Sequence, residues 1–320
     1  MTPPLVSVII PAYNAEKWIA QSVASAIRQT WKNIEIIVVD DGSSDGTAEI
    51  ASSTRDVRVT LVSQKNAGAA AARNRGLREA RGDFIQYLDA DDLLGEDKLE
   101  LQLNALNTSP LRSIASCPWL RFVHDQAAAE LHPEPVWAVP NPIDWLVGSL
   151  DGGGMMQPGA WLTPRAVADT AGPWNESLTL HDDGEYFTRV LLASSRNVFV
   201  PEARVYYRDV EDSLSRRRSR TAVESAFAVC KARASHLLAV KDTPEVRRAL
   251  ATQYAQFAYE NALSAPDLVN EALAAIAELG ASPNHSIGGG LFGLLDRIVG
   301  FPAAIHLRQS LREKRATPLE

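Results

Sequence analysis

Short apolar runs alternate with helical segments over the first 90 residues of this chain, and this alternation constrains the fold more than any other feature. The runs are β-branched or strongly apolar and lie at residues 6–10, 34–39, 57–62 and 84–88. Between them, segments 15–29 and 67–80, and a third that begins near residue 47, have the composition and spacing of helices. The pattern predicts an α/β fold with a mostly parallel sheet flanked by helices.

The composition of the 320-residue chain is that of an ordinary globular protein, with 46% hydrophobic and 22% charged residues. A net charge of −7 disfavours nucleic-acid binding, because no global positive field would attract phosphates. Cys117 and Cys230 lack metal-ligand spacing, so we expect two buried, reduced thiols in a cytoplasmic protein. We expect neither a signal peptide nor a transmembrane helix.

The pattern changes twice along the chain. From about residue 107 to residue 160, prolines interrupt short segments, some of which we expect to be strands of a mixed sheet. After residue 219, helical patterns appear at 220–240, 244–264 and 267–279, and Thr243 is a candidate N-cap for the second of these. We therefore predict an α/β domain at residues 1–218, with halves of about 1–106 and 107–218, followed by a helical region at 219–320.

Polar loops follow three of the predicted strands: Pro11-Ala12-Tyr13-Asn14, Asp40-Asp41-Gly42-Ser43 and Asp89-Ala90-Asp91-Asp92. In an open α/β sheet the carboxyl ends of the strands border the ligand crevice, so we expect the three loops to converge. The glycine fingerprint of dinucleotide-binding folds is missing after the first strand, which disfavours a dehydrogenase. Asp89 and Asp91 suit Mg²⁺ or Mn²⁺, which prefer carboxylate oxygens and bridge to phosphates. The alternative is that Asp91 or Asp92 only caps a helix at 93–106.

Four motifs in order resemble the inverting family-two glycosyltransferases of the GT-A fold, which use nucleotide-diphospho-sugars. They are Val8-Ile9-Ile10-Pro11-Ala12-Tyr13-Asn14, Val38-Val39-Asp40-Asp41-Gly42-Ser43-Ser44-Asp45-Gly46-Thr47, Asn66-Ala67-Gly68 with Ala72-Arg73-Asn74-Arg75-Gly76, and Tyr87-Leu88-Asp89-Ala90-Asp91-Asp92. The resemblance is strong over residues 5–95 and continues in pieces to about residue 215.

The resemblance implies roles for the nucleotide-binding residues. Pro11, Ala12, Tyr13 and Asn14 would contact the base, Asp40 would accept a hydrogen bond from it, and Arg73 would reach the nucleotide side of the pocket. The segment Asp89-Ala90-Asp91 matches the family's D-x-D motif, with Asp89 near the ribose and Asp91 on Mn²⁺ or Mg²⁺. Purely structural alternatives are a solvated helix arginine for Arg73 and a local turn at Gly42, which fits Asp41 better than Asp40.

The resemblance also implies a general base at the start of a late helix, which here is Asp183. Asp182 stands where many relatives have Glu, so the assignment could shift by one residue, and helix capping is the structural alternative for both. Arg208, with one of Arg216, Arg217 or Arg218, would contact the diphosphate from a mobile loop, although a solvated charge run explains the triplet equally well. Trp161 would stack on an acceptor sugar or lie in the core.

The expected partners are a nucleotide-sugar donor, most simply a UDP-sugar, and a glycan or lipid-linked acceptor of cell-surface polysaccharide or glycolipid synthesis. Residues 291–315 form a basic amphipathic tail, which could lie on the inner face of an anionic membrane. Alternatively, the tail packs on the catalytic domain or on a second copy in a homodimer. Two other functions stay open: a nucleotidyltransferase, which should carry a glycine-rich, lysine-bearing phosphate loop, and a non-catalytic sugar-nucleotide-binding module.

Overall fold

A computed structural model describes residues 3–210, 219–284 and 287–316, with side chains as far as residue 310. The strands are β1 Val6–Ala12, β2 Ile34–Asp40, β3 Val59–Ser63, β4 Phe84–Tyr87, β5 Leu93–Leu94, β6 Ser113–Ser116, β7 Trp119–Phe122, β8 Glu130–Leu131, β9 Thr163–Pro164, β10 Arg196–Phe199 and β11 Val205–Arg208. The helices are α1 Ile19–Ile27, α2 Thr47–Ser52, α3 Ala69–Glu79, α4 Lys98–Asn107, α5 Pro142–Gly148, α6 Arg165–Ala171, α7 Asp182–Ala193, α8 Arg220–Val240, α9 Pro244–Asn261, α10 Pro266–Leu279, α11 Gly290–Val299 and α12 Phe301–Ala316.

The central sheet has the strand order β3-β2-β1-β4-β9, which confirms the predicted mostly parallel sheet. Strands β1 to β4 run parallel, and β9 joins β4 antiparallel. Every residue of β2 is buried, as expected for a β-branched strand covered by helices on both faces. Because β1 lies between β2 and β4, the strand order reverses beside it, and this reversal opens a crevice at the carboxyl ends of these strands.

Helix α3 lies unusually close to β1. A Cβ atom at Gly76 would collide with the side chain of Ile9, so glycine at this position allows the close approach. One helical turn earlier, Arg73 is buried near the carboxyl edge of the sheet.

The second half of the α/β unit contains a mixed four-stranded sheet, β5-β11-β7-β8, and a parallel pair, β10-β6. The predicted helix at 93–106 is wrong at its start. Leu93 and Leu94 are buried and pair antiparallel with Tyr206 and Val205, and α4 begins only at Lys98. Neither Asp91 nor Asp92 therefore caps this helix.

The three predicted C-terminal helices are confirmed as α8, α9 and α10. The Thr243 hydroxyl accepts a hydrogen bond from the Val246 amide at 3.5 Å, and Pro244 occupies the first turn of α9, as predicted. Helix α8 packs directly against α7. The predicted domain boundary stays a prediction. Cys117 and Cys230 are both buried and free.

The predicted amphipathic tail forms two helices, one of which buries apolar side chains while the other exposes them. Helix α12 packs on α9, where Ile305 is buried and the Arg308 guanidinium donates to the Tyr259 carbonyl at 3.0 Å. Helix α11 instead leaves Leu291 75% and Ile298 70% exposed. Within the parts of the chain that the structure describes, no helix is both long and apolar enough to span a membrane.

Candidate active site

The loops after β1 and β2 are joined by hydrogen bonds, so two of the three predicted loops converge directly. The Asn14 amide donates to the Ser43 hydroxyl at 3.0 Å, and its side-chain oxygen accepts from the Ser44 amide at 2.9 Å. Asn14 has a φ of 49°, a left-handed conformation that asparagine tolerates. Tyr13 follows the half-buried Pro11 and the buried Ala12 and is itself 51% exposed, so its ring is accessible to a ligand.

Asp40 and Asp41 have different structural tasks. Asp40 is buried at the end of β2 and accepts a hydrogen bond from the Ser43 amide at 3.2 Å. Asp41 accepts from the Ala67 and Gly68 amides at 2.9 and 2.8 Å. The local turn bond assigned to Asp41 from the sequence is therefore made by Asp40, while Asp41 holds the loop that leads into α3.

Arg73 connects the two halves of the crevice. Its guanidinium donates to Asp89 and to Asp182, in each case at 2.8 Å. Burial lowers the pKa of the Arg73 guanidinium, but attraction to Asp182 and Asp89 outweighs this effect and the pKa is raised. The side chain is 7% exposed, so the alternative of a solvated helix arginine is wrong.

The Trp174 ring packs against the guanidinium of Arg73. The guanidinium carbon lies 4.5 Å from the centre of the Trp174 ring, which stacks on Tyr186 with 4.0 Å between ring centres. Asn74 fixes the same loop, because its side chain accepts from the Trp174 amide and donates to the Trp174 carbonyl at 2.8 and 2.9 Å. The sequence reasoning did not single out Asn74, although it stands inside the quoted Ala72–Gly76 motif.

The three acids that follow β4 differ in how deeply they are buried. Ala90 is buried, Asp89 and Asp91 are half-buried, and Asp92 is fully buried. Asp92 accepts from the Arg208 amide at 2.8 Å, which anchors β11 to the D-x-D segment. Burial, followed by the negative charge of Asp89, raises the pKa of Asp91 to about 6. Asp91 is therefore less readily ionised than a solvated aspartate, mainly because it is buried.

Arg208 is not on a mobile loop, and that prediction is wrong. It is the last residue of β11, 2% exposed, and its guanidinium donates to the Asp91 carbonyl and the Gln21 side chain, each at 2.8 Å. The rings of Trp18 and Phe122 cover it, each 4.3 Å from the guanidinium carbon. Arg208 thus fixes the backbone of the D-x-D segment through the Asp91 carbonyl. Arg216, Arg217 and Arg218 lie outside the described residues.

The carboxylates of Asp89 and Asp91 are the donors of the predicted metal site. No group of three or more His, Cys, Asp or Glu side chains among the described residues is placed to hold a metal ion. Asp89 is engaged by Arg73, which leaves Asp91 as the better-placed ligand. The acids fit a divalent cation that takes one or two protein carboxylates and completes its shell with substrate phosphates and water, the usual arrangement for Mg²⁺.

The candidate base lies at the start of α7. The residue before the helix, His181, has a left-handed φ of 57° and makes no side-chain cap, so neither Asp182 nor Asp183 is the N-cap. Asp182 binds Arg73, and burial raises the pKa of Asp182 against the lowering effect of Arg73. Asp183 is half-buried and accepts from the Gly184 amide at 2.8 Å. Asp182 is therefore held by an ion pair, and Asp183 is the neighbour that Arg73 does not bond.

Trp161 lies in the core, which is the second of the two positions that the sequence left open, and not on an exposed wall. It is 1% exposed and stacks on Phe187 with ring centres 5.5 Å apart, while Trp145 meets it edge-on at 5.4 Å. The segment before it does reach the surface, since Met155 is 45% exposed.

Comparison with solved structures defines the fold class. The chain superposes on a crystal structure of Staphylococcus aureus TarS residues 1–349 in complex with UDP-GlcNAc, with a TM-score of 0.72 and 19% identity, over 97% of this chain and 92% of that one. A structure of the same TarS fragment in complex with UDP gives a TM-score of 0.67 at 17% identity, over 98% of this chain and 93% of that one. The architecture is therefore the GT-A fold.

Sequence comparison finds a family resemblance in the first half of the chain. Residues 7–144 match the family model "Glycosyl transferase family 2", so this part of the chain is similar to family-2 glycosyltransferases. An uncharacterized glycosyltransferase of Haemophilus influenzae is 49% identical over 107 residues, which are 32% of this chain and 43% of that protein. Glycosyltransferase GlyA of Streptococcus pneumoniae is 43% identical over 97 residues, 30% of this chain and 14% of that protein. The matched region thus spans less than half the length of these curated relatives.

Proposed function

We propose that the protein is an inverting glycosyltransferase that moves a sugar from a nucleotide-diphospho-sugar to an acceptor hydroxyl. One observation carries the proposal: Arg73 joins Asp89 of the D-x-D segment to Asp182 at the start of α7. This bridge brings the start of α7, which lies outside the family match at residues 7–144, against the acids that follow β4 inside that match. A UDP-sugar is the proposed donor, and the fold match to a UDP-GlcNAc complex of TarS supports this choice.

In the proposed reaction, the acceptor hydroxyl attacks the anomeric carbon from the face opposite the diphosphate. The new C–O bond forms as the bond to the diphosphate breaks, and the hydroxyl proton passes to a carboxylate of the protein. We assign the proton to Asp183, because the Asp182 carboxylate is occupied by Arg73. Tyr13 and Asp40, at the ends of β1 and β2, would contact the base of the donor.

A divalent cation, Mn²⁺ or Mg²⁺, is part of the proposal. Asp91, with Asp89 beside it, would hold the ion, and the ion would neutralise charge on the diphosphate leaving group. Burial, and then the charge of Asp89, raises the pKa of Asp91, and a bound cation would stabilise the ionised form against both effects.

The alternatives differ in how well they agree with the observations. A nucleotidyltransferase is disfavoured by the family-2 match and by the Pro11–Asn14 segment in place of a glycine-rich phosphate loop. A non-catalytic sugar-nucleotide-binding module would keep the donor loops but would not need an acid such as Asp183 beside them. Transfer to a glycan or lipid-linked acceptor in polysaccharide or glycolipid synthesis rests on the family resemblance.

The test is a donor panel. Melting temperature and slow hydrolysis are followed with UDP-, GDP- and dTDP-sugars, each with and without Mn²⁺. We expect one UDP-sugar to raise the melting temperature in a Mn²⁺-dependent manner, and Asp91→Asn to remove the Mn²⁺-dependent part. Binding without hydrolysis or transfer would favour the non-catalytic module, and failure of every donor to bind would overturn the proposal.

A further inference from the structure

One buried hydroxyl of the C-terminal helical region holds the loop that precedes the candidate base. Ser225 of α8 is 6% exposed. Its oxygen accepts hydrogen bonds from the Thr179 and Leu180 amides at 2.9 and 3.0 Å, and its O–H donates to the Leu180 carbonyl at 3.0 Å. A serine hydroxyl has one donor and two acceptor sites, so these bonds use its full capacity.

The Ser225 bonds matter for this loop because the residue before α7, His181, makes no side-chain cap. His181 adopts the left-handed conformation and makes no side-chain hydrogen bond to the first turn. Asp182 and Asp183 follow directly after it. The Ser225 bonds therefore fix the backbone two residues before Asp182, where a local cap would otherwise act.

Two further side chains on the same face of α8 contact α7 after its first residues. The Arg233 guanidinium donates to the Thr188 hydroxyl at 3.1 Å, and the Nε2 atom of His236 lies 3.0 Å from the Glu185 carboxylate. Positions 225, 233 and 236 share one side of a helix with 3.6 residues per turn.

We propose that Ser225 of α8 is a positioning residue for the candidate base Asp183. The inference rests on the proposed function and adds to it a specific role for the C-terminal helices. Ser225 holds the Thr179–Leu180 backbone, this backbone fixes the turn at His181, and the turn sets where the Asp183 carboxylate lies relative to the Arg73–Asp89 pair. A misplacement of about 1 Å at such a group can lower the rate by about 10²-fold.

The experiment compares Ser225→Ala with Ser219→Ala in the full chain. Ser219 caps the same helix through one bond to the Ala222 amide at 3.2 Å, so its variant controls for a general weakening of α8. Donor affinity, kcat for transfer, melting temperature and hydrogen exchange over residues 179–188 are measured for both variants and for the wild type.

We expect Ser225→Ala to speed hydrogen exchange over residues 179–188 and to lower kcat about 10- to 100-fold with donor affinity unchanged. Ser219→Ala should lower the melting temperature while kcat stays near the wild-type value. Unchanged exchange, wild-type kcat, or donor affinity that falls in parallel with kcat in Ser225→Ala would each overturn the inference. Wild-type protein that transfers no sugar would instead contradict the proposed function, so the two failures are distinguishable.

Discussion

Arg73 and Asp182 form an ion pair with 2.8 Å between nitrogen and oxygen, although 109 residues separate them in the sequence. The same guanidinium binds Asp89. Two carboxylates from opposite halves of the crevice are thus held by one planar cation, whose fork geometry suits two acceptors at once. The segment that follows β4 and the start of α7 are therefore mechanically linked.

Arg73→Lys should damage the site while the fold persists. A lysine ammonium is a compact charge on a flexible stem and does not reproduce the planar fork, so the link between Asp89 and Asp182 should be lost. We expect kcat/KM for transfer to fall about 100-fold, which corresponds to about 2.7 kcal/mol. Arg75→Met on the same helix is the control, because Arg75 makes only an exposed pair with Glu79. Equal activity in the two variants would show that the bridge does not matter.

Arg208→Met should act on stability rather than on diphosphate binding. The change removes the bonds to Asp91 and Gln21 and the stacking between Trp18 and Phe122. We expect the free energy of unfolding to fall by about 2–4 kcal/mol. The measurement is denaturant unfolding together with donor affinity in conditions where the variant is folded. A large loss of donor affinity with unchanged stability would restore the diphosphate role predicted from the sequence.

Lys98 gives a prediction about pH. It is fully buried with its ammonium on the Gln86 and Gln102 side-chain oxygens, and burial lowers its pKa from 10.5 to about 8. Between these two values the unfolded chain binds more protons at this position than the folded protein, so the contribution of Lys98 to stability should rise with pH. It should be least favourable below pH 8, and the full difference is on the order of 3 kcal/mol.

The pH prediction is checked by urea unfolding of wild type and Lys98→Met from pH 7 to pH 10. The stability of the wild type relative to the variant should increase above pH 8. A difference that stays constant over this range would mean that Lys98 titrates normally in the folded protein.

The exposed apolar face of α11 is the part of the tail that would contact a membrane. Leu291, Leu294 and Ile298 are 75%, 54% and 70% exposed at helical spacing, and Arg297 is exposed beside them. Such a face should partition into vesicles that contain anionic lipid and release at high salt. Co-sedimentation of wild type and the variant with Leu291, Leu294 and Ile298 changed to Ser measures this. If both bind equally, or neither binds, the membrane prediction is wrong, and a wild-type dimer that the variant lacks would favour self-association.

The sequence predicted those parts of the molecule that local patterns determine. Continuous β-branched runs identified β1 and β2, and Thr243 with Pro244 marked the start of α9. The family motifs located the acids of the crevice and Arg73. Burial of Arg208 was not predictable in this way, because it depends on the rings of Trp18 and Phe122, which are distant in the sequence. Leu93–Leu94 became a strand for a similar reason: its partner is β11, more than one hundred residues later.

The role of Ser225 was also beyond the sequence patterns. A serine inside a helical segment gives no local signal that its hydroxyl binds the backbone of another loop. Asn74 was closer to recognition, since it stands within a quoted motif, but its bonds to Trp174 depend on how α3 meets a loop 100 residues later.

The most direct test of the account is the transfer rate of Asp183→Asn beside Asp182→Asn, with donor affinity measured for both. The account predicts that Asp183→Asn binds the donor as the wild type does and loses at least about 10²-fold in transfer rate, since the amide cannot take the acceptor proton. Asp182→Asn should weaken the link to Arg73 and retain more of the activity. Wild-type transfer by Asp183→Asn, with loss of activity confined to Asp182→Asn, would contradict the assignment of the base.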